Sequence, residues 1–166
     1  CSRRLARQMI DHALCVEHWQ AFENPEFQVL QKVLAAELTR EKYQCRFIVP
    51  GDQRSECQVT NEAQQRMIDE WSKPETVVGQ EGPTDAIPFR ESLNRTTGAY
   101  HYYEPVYAHD GCVVCHNHLG AGTAMAENSA VADVPIFPTR HVEKGDLMAI
   151  AHIVLPFRET ENEKKE

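Results

Sequence analysis

The chain has 166 residues, 42% of them hydrophobic and 25% charged, with 17 Lys and Arg against 25 Asp and Glu and a formal charge of −8. Such a composition belongs to a globular domain large enough to bury a core, and it excludes a solvated coil for most of the length. It also sets aside a membrane span, which needs roughly 18 consecutive apolar residues, and nucleic-acid binding, because an acidic chain without a basic stripe is repelled by phosphate backbones. No basic region followed by an apolar stretch opens the sequence, which places any targeting segment outside this numbering.

The first twenty-odd residues read as a helix, with Leu5, Met9, His12, Val16 and Trp19 at spacings of three and four forming one buried stripe. Asn24-Pro25 interrupts it, and Pro25 suits the first turn of a second helix running to about Leu38. Tyr43 to Val49 reads as a strand ending at the turn Pro50-Gly51, with Gln58 to Thr60 as a short return partner. Asn61 is placed to cap a helix reaching Trp71, whose apolar side is Met67, Ile68 and Trp71. Ser72 to Pro83 has turn chemistry.

Two further strands follow. Gly98 to Ala108 is dense in Tyr and Val, and Pro105 within it implies an edge or a bulge. Tyr100, Tyr102, Tyr103 and Tyr107 then alternate between core and surface. Leu147 to Leu155 is a nearly continuous apolar run, suited to a strand buried on both faces. Between them, Gly120 to Arg140 has the Gly, Ala, Ser and Pro content of a long surface loop, and Glu159 to Glu166 is a charged, solvated end. The expected architecture is one α+β domain over residues 1–166: helices first, then an antiparallel sheet.

Six cysteines and eight histidines stand out in a chain of this length. Cys45 and Cys57 bracket an eleven-residue polar segment, and they fit either a disulfide pinning that loop in an exported protein or two buried thiols. The sharper signal is Cys112-Val113-Val114-Cys115-His116, the spacing that attaches a c-type haem. Two thiols three residues apart each add to one vinyl group of the macrocycle, and the adjacent His is held beneath the iron. The competing readings are a chance match, a redox dithiol and a zinc site. A thioredoxin-like dithiol requires a helix after the motif, where Asn117-His118-Leu119-Gly120 instead turns away. A zinc site asks for a second ligand pair at similar spacing, and only scattered histidines are available. Covalent haem is the favoured reading, with Cys112, Cys115 and His116 as its site.

The motif lies two-thirds of the way along, beside tyrosine-rich strand sequence, unlike a small helical cytochrome or a four-helix one. Tyr103-Glu104-Pro105-Val106-Tyr107, the attachment motif, and Gly145-Asp146 leading into the apolar run that ends at Pro156 together resemble the periplasmic c-type haem sensor domains of PAS-like fold, found in bacterial cyclase and histidine kinase receptors. The resemblance covers roughly residues 100–156 well and the first hundred only in outline. It implies a PAS-like antiparallel sheet with long N-terminal helices and the haem motif before the last strand. It further implies a periplasmic sensor, not an enzyme, that detects redox state or a small diatomic gas through changes in haem ligation. A membrane anchor would lie outside this chain, and a homodimer is an assembly the reading allows.

On the distal side of the iron, some members of that family use a Cys of the N-terminal helix. Cys15 is the position that matches, with His12 one turn away as the weaker candidate. Each has an ordinary alternative, a small buried hydrophobe for Cys15 and a satisfied core histidine for His12, and an open site is a further one. Met148 and His152 on the last strand are lesser candidates, and His118 is too close to His116 to reach the opposite face. Arg90, Arg95 and Arg140 are able to pair haem propionates, with nothing to single one out. The basic start, Arg3, Arg4 and Arg7, and the charged end suggest a piece of a longer chain, whereas a genuine mature Cys1 would suit lipid attachment. The alternative function is an electron carrier, whose −8 charge would suit a basic redox partner.

Overall fold

A computed structural model describes residues 2–20, 25–52, 54–73, 87–114, 116–117 and 141–157. Along the chain run α1 (Ser2–Gln20), α2 (Pro25–Arg40), β1 (Gln44–Ile48), α3 (Glu62–Trp71), β2 (Arg90–Asn94), β3 (Ala99–Tyr107), α4 (Asp110–Val114) and β4 (Leu147–Pro156). The strands make one antiparallel sheet in the order β1-β4-β3-β2. The protein is therefore α+β, with two long helices first and the Cys112 motif between β3 and β4. Two units are distinguished, Cys1–Phe47 with Phe89–Glu104 and Ala151–Glu166, and Ile48–Pro88 with Pro105–Ile150.

In the first unit α1 buries Ala6, Met9 and Ile10 and packs against α2. Burial of the Met9 and Ile10 side chains is worth about 1.5–3 kcal/mol each. The expected stripe is corrected here: Leu5 is half-buried and His12 is exposed. The buried face is turned by two arginines. Arg7 Nε meets the buried Glu104 of β3 at 3.3 Å, and the Arg3 guanidinium lies 3.7 Å from the centre of the Phe89 ring. A cation held over an aromatic face is attracted by the ring quadrupole. Glu104 also accepts the Tyr102 hydroxyl proton at 2.5 Å, so the buried carboxylate has two partners. The positions expected at Val16 and Trp19 lie outside the described side chains.

The hairpin β2–β3 is the element that periodicity does not reveal. Its register pairs Arg90 with Tyr103 and Asn94 with Ala99, and every residue of β2 is exposed. The turn is built by Asn94, whose Oδ1 accepts from the backbone N–H of Thr96 and of Thr97, both at 3.1 Å. Gly98 closes it at φ +62°, a conformation that costs a residue with a Cβ. Pro105 falls past the last β2 partner, where the missing N–H breaks no bond to that strand.

In the second unit α3 starts as the sequence requires. Asn61 Oδ1 accepts from Gln64 N–H at 3.0 Å, and the buried Gln64 side chain accepts from Thr60 N–H and the Thr60 hydroxyl at 2.8 and 3.0 Å. Met67, Ile68 and Trp71 are buried, and Trp71 C=O accepts the Tyr107 hydroxyl at 3.0 Å. That burial pushes the Tyr107 pKa up to about 12. The short return strand expected at Gln58 to Thr60 is absent. Instead a 3-10 turn at Ser55–Cys57 brings Cys57 C=O to Val49 N–H at 3.0 Å, and Arg54 pairs with Asp52 at 2.6 Å. The polar side chains of this segment engage one another locally, which leaves no extended run to pair as a strand. Cys45 is half-buried on β1 and Cys57 is buried.

β4 is buried on both faces as expected, with Leu147, Ala149, Ile150, Ala151, His152, Ile153 and Leu155 all inside. Gly145, at φ +92°, forms the turn into it, and Gly145 N–H donates to Ala108 C=O at 2.8 Å. The loop expected at Gly120–Arg140, most of the turn segment before Pro83, and the end from Glu159 lie outside the described residues.

Candidate functional site

The Cys112–His116 motif begins on α4, which follows β3 closely. His109 Nδ1 accepts from Gly111 N–H at 3.1 Å, satisfying one of the donors that a helix start leaves open. Lys144 Nζ lies 3.2 Å from Asp110 Oδ2. Cys112 is half-buried on this helix and Val114 is 57% exposed, while Cys115 lies outside the described residues. His116 and Asn117, both half-buried, continue in a π-helical turn, a geometry that recurs at functional sites.

Asn117 is a residue the sequence reading did not single out. Its Nδ2 donates to Val142 C=O at 2.8 Å, and its Oδ1 accepts from Val142 N–H at 3.0 Å. A single amide therefore satisfies both backbone groups of a fully buried residue. The residue after His116 is locked to the segment that enters β4. The only signal in the sequence is an amide side chain directly after the motif, which any solvated loop also carries.

Cys112, on α4, and His116, in the π-helical turn, both belong to the second unit. Cys15 and His12 are both exposed on α1, in the first unit, so neither is the buried residue of the ordinary alternatives. Met148 is half-buried on β4. Arg90 is exposed on β2, Arg95 lines a cleft at the β2–β3 turn, and His118 and Arg140 lie outside the described residues. Among the described residues no group of three or more His, Cys, Asp or Glu side chains is arranged to hold a metal ion.

His152 occupies a second polar constellation, in the first unit. Arg46 Nε donates to His152 Nδ1 at 3.2 Å, His152 Nε2 lies 3.1 Å from His101 Nδ1, and the Tyr103 ring stacks on His152 at 4.2 Å. Burial, then the Arg46 charge and His101, lower the His152 pKa to about 4. Both ring nitrogens are engaged, so His152 reaches an iron only by giving up at least one of these bonds. Tyr102 on the opposite face of β3 sits in the core, its hydroxyl pKa raised by burial and by the Glu104 hydrogen bond.

The donor chemistry of the motif fits a haem: two thiols at attachment spacing, the first half-buried rather than sealed in the core, followed by an imidazole whose neighbour fixes the backbone. No protein-family model matches this chain, and no curated protein matches it in sequence. Among solved structures it is similar to the cyanobacterial heme-protein Tll0287, at 12% identity and a TM-score of 0.47, over 78% of this chain and 70% of that one.

Proposed function

We propose that this chain is a haem c-binding domain of an extracytoplasmic bacterial sensor. The observation that carries the reading is Cys112-Val113-Val114-Cys115-His116, with Cys112 on α4, His116 in a π-helical turn and Asn117 clamped to Val142 beside it. Cys112 and Cys115 would hold the macrocycle through thioethers and His116 would be the proximal ligand. Val114, an apolar side chain left 57% exposed within the motif, offers a surface for the apolar part of such a group. Bound haem supplies an iron that exchanges an electron or takes up a small diatomic ligand.

The chain's own residues restrict the motion of His116. The Asn117 amide ties the backbone next to His116 to Val142, and the turn that follows returns two hydrogen bonds to Ala108, from Gly145 N–H and to Asp146 C=O, both at 2.8 Å. A displacement of His116 is therefore felt at the start of β4, the element a sensor would move. On this reading the domain has no enzymatic activity of its own, it works in the periplasm, and a membrane anchor and output domain belong to a longer protein. Among the described residues no helix is long and apolar enough to cross a membrane.

The test is maturation of the chain with a c-haem assembly system, followed by denaturation and extraction. The wild type retains haem absorbance on the denatured polypeptide, and Cys112→Ala with Cys115→Ala loses it. Complete extraction of haem from the wild type overturns the assignment. Carbon monoxide added to the reduced protein separates the two roles: uptake supports the sensor, and an inert six-coordinate iron in both redox states supports an electron carrier.

A further inference from the structure

Val29 and Val33 stand one turn apart on α2 and are 63% and 55% exposed. Ala36 is exposed at the next step. Steps of four and three place the three side chains on one stripe of the helix, the spacing of a coiled-coil seam. Arg40 ends the stripe, where it pairs with its own Glu37 at 2.7 Å and with Glu41 at 3.3 Å. The half-buried Leu38 lies on the opposite side of α2, so the helix is turned with its valines outward.

The two edges of this stripe carry opposite charge. With 3.6 residues per turn, Lys32 borders it on one side and Glu37 on the other, and both are exposed. The Glu37 carboxylate, bonded to Arg40, keeps further acceptor positions. Two copies of α2 laid side by side in the same direction bring unlike edges together. Lys32 of each copy then meets Glu37 of the other, five positions on, and the contact occurs twice by symmetry. In opposite directions like edges meet, and the ion pair is lost. Val33, β-branched within the seam, also suits a parallel pair of helices.

We propose that α2 is a self-association surface, on which a second copy of this chain packs the same Val29, Val33 and Ala36 stripe in parallel, with Lys32 and Glu37 pairing across the seam. Charge complementarity chooses the occupant, since the pattern that borders the apolar stripe is its own complement. Three small side chains from each copy bury well under the roughly 1,200 Å² of a stable complex, so the dimer is weak and reversible. The proposal is independent of haem.

The test is sedimentation velocity of the full chain from about 1 μM to about 1 mM, the span between tight and weak association. The wild type passes from monomer to dimer within that range. Val33→Glu places like charges in the seam of both copies and leaves the protein monomeric. Lys32→Glu sets acidic edges against each other and weakens the dimer about fivefold or more, and adding Glu37→Lys to it restores association. A wild type that is monomeric at every concentration overturns the proposal, as does a dimer that survives Val33→Glu unchanged. A dimer indifferent to Lys32→Glu, or one that the double variant fails to restore, overturns it too, because the copies then do not pair in parallel. Circular dichroism checks that each variant keeps its helices, and should Val33→Glu lose them, the charge variants decide.

Discussion

His152→Leu removes one titrating group from the first unit and nearly nothing from its volume, which makes the pH dependence of stability the informative readout. In the folded protein the pKa of His152 lies at about 4, below its ordinary 6.5. As pH falls from neutrality the unfolded chain therefore takes up this proton first. The stability that neutral His152 contributes is complete above about pH 6.5 and is lost progressively down to about pH 4. At 1.36 kcal/mol per pH unit the whole interval corresponds to about 3 kcal/mol, and water at the open cleft beside His101 screens this to about 1–2 kcal/mol. Urea unfolding of wild type and His152→Leu at a series of pH values from about 7 to 4.5 measures it. Other histidines and carboxylates contribute to both curves, so the difference between them isolates this residue. Equal loss of stability in acid by both proteins refutes the neutral Arg46–His152–His101 row.

Substitutions at three further positions test separate parts of the structure. Asn117→Ala removes both bonds to buried Val142 and costs about 2 kcal/mol in urea unfolding, whereas Asn117→Asp keeps the acceptor and costs less than the Ala variant; a loss under about 0.5 kcal/mol disproves the clamp. Glu104→Ala removes the buried carboxylate that Arg7 and Tyr102 share and lowers stability by about 3 kcal/mol by the same assay, and a neutral result shows that water replaces the carboxylate. Cys15→Ser, on an exposed position, leaves stability within about 0.5 kcal/mol. In the haem-loaded protein it alters the optical spectrum with attachment intact, and an unchanged spectrum removes Cys15 from the iron.

α1, α2, α3, β1, β3 and β4 are legible in the sequence because each has a strong local signature, whereas the short α4 has none. α3 is the best case, since Asn61, Gln64 and the Met67, Ile68, Trp71 face specify cap and burial together. β2 escapes because Arg90–Asn94 is polar and wholly exposed, so no burial pattern marks it. The signal that was present is the turn, Asn94 followed by Gly98 ahead of an obvious strand. The His12 stripe misleads because helical spacing defines several faces, and Arg3 and Arg7 choose the one that meets β3 and Phe89. The motif cysteines and His116 are read from adjacency alone. The Arg46–His152–His101 row is not, since its members come from three strands and Arg46 and His152 stand 106 positions apart.

The Asn117–Val142 amide pair has a bearing on how freely this protein can change. It closes a ring around residues 118–141, so the position of Asn117 against the segment that enters β4 is held by one side chain and not by the length of the intervening chain. Closing a ring twice as long costs only about 0.6 kcal/mol more. Insertions and deletions within that stretch can then accumulate, and whole segments be exchanged, while the geometry next to His116 is inherited unchanged. Variation of that kind would change the sequence widely without disturbing the backbone beside His116.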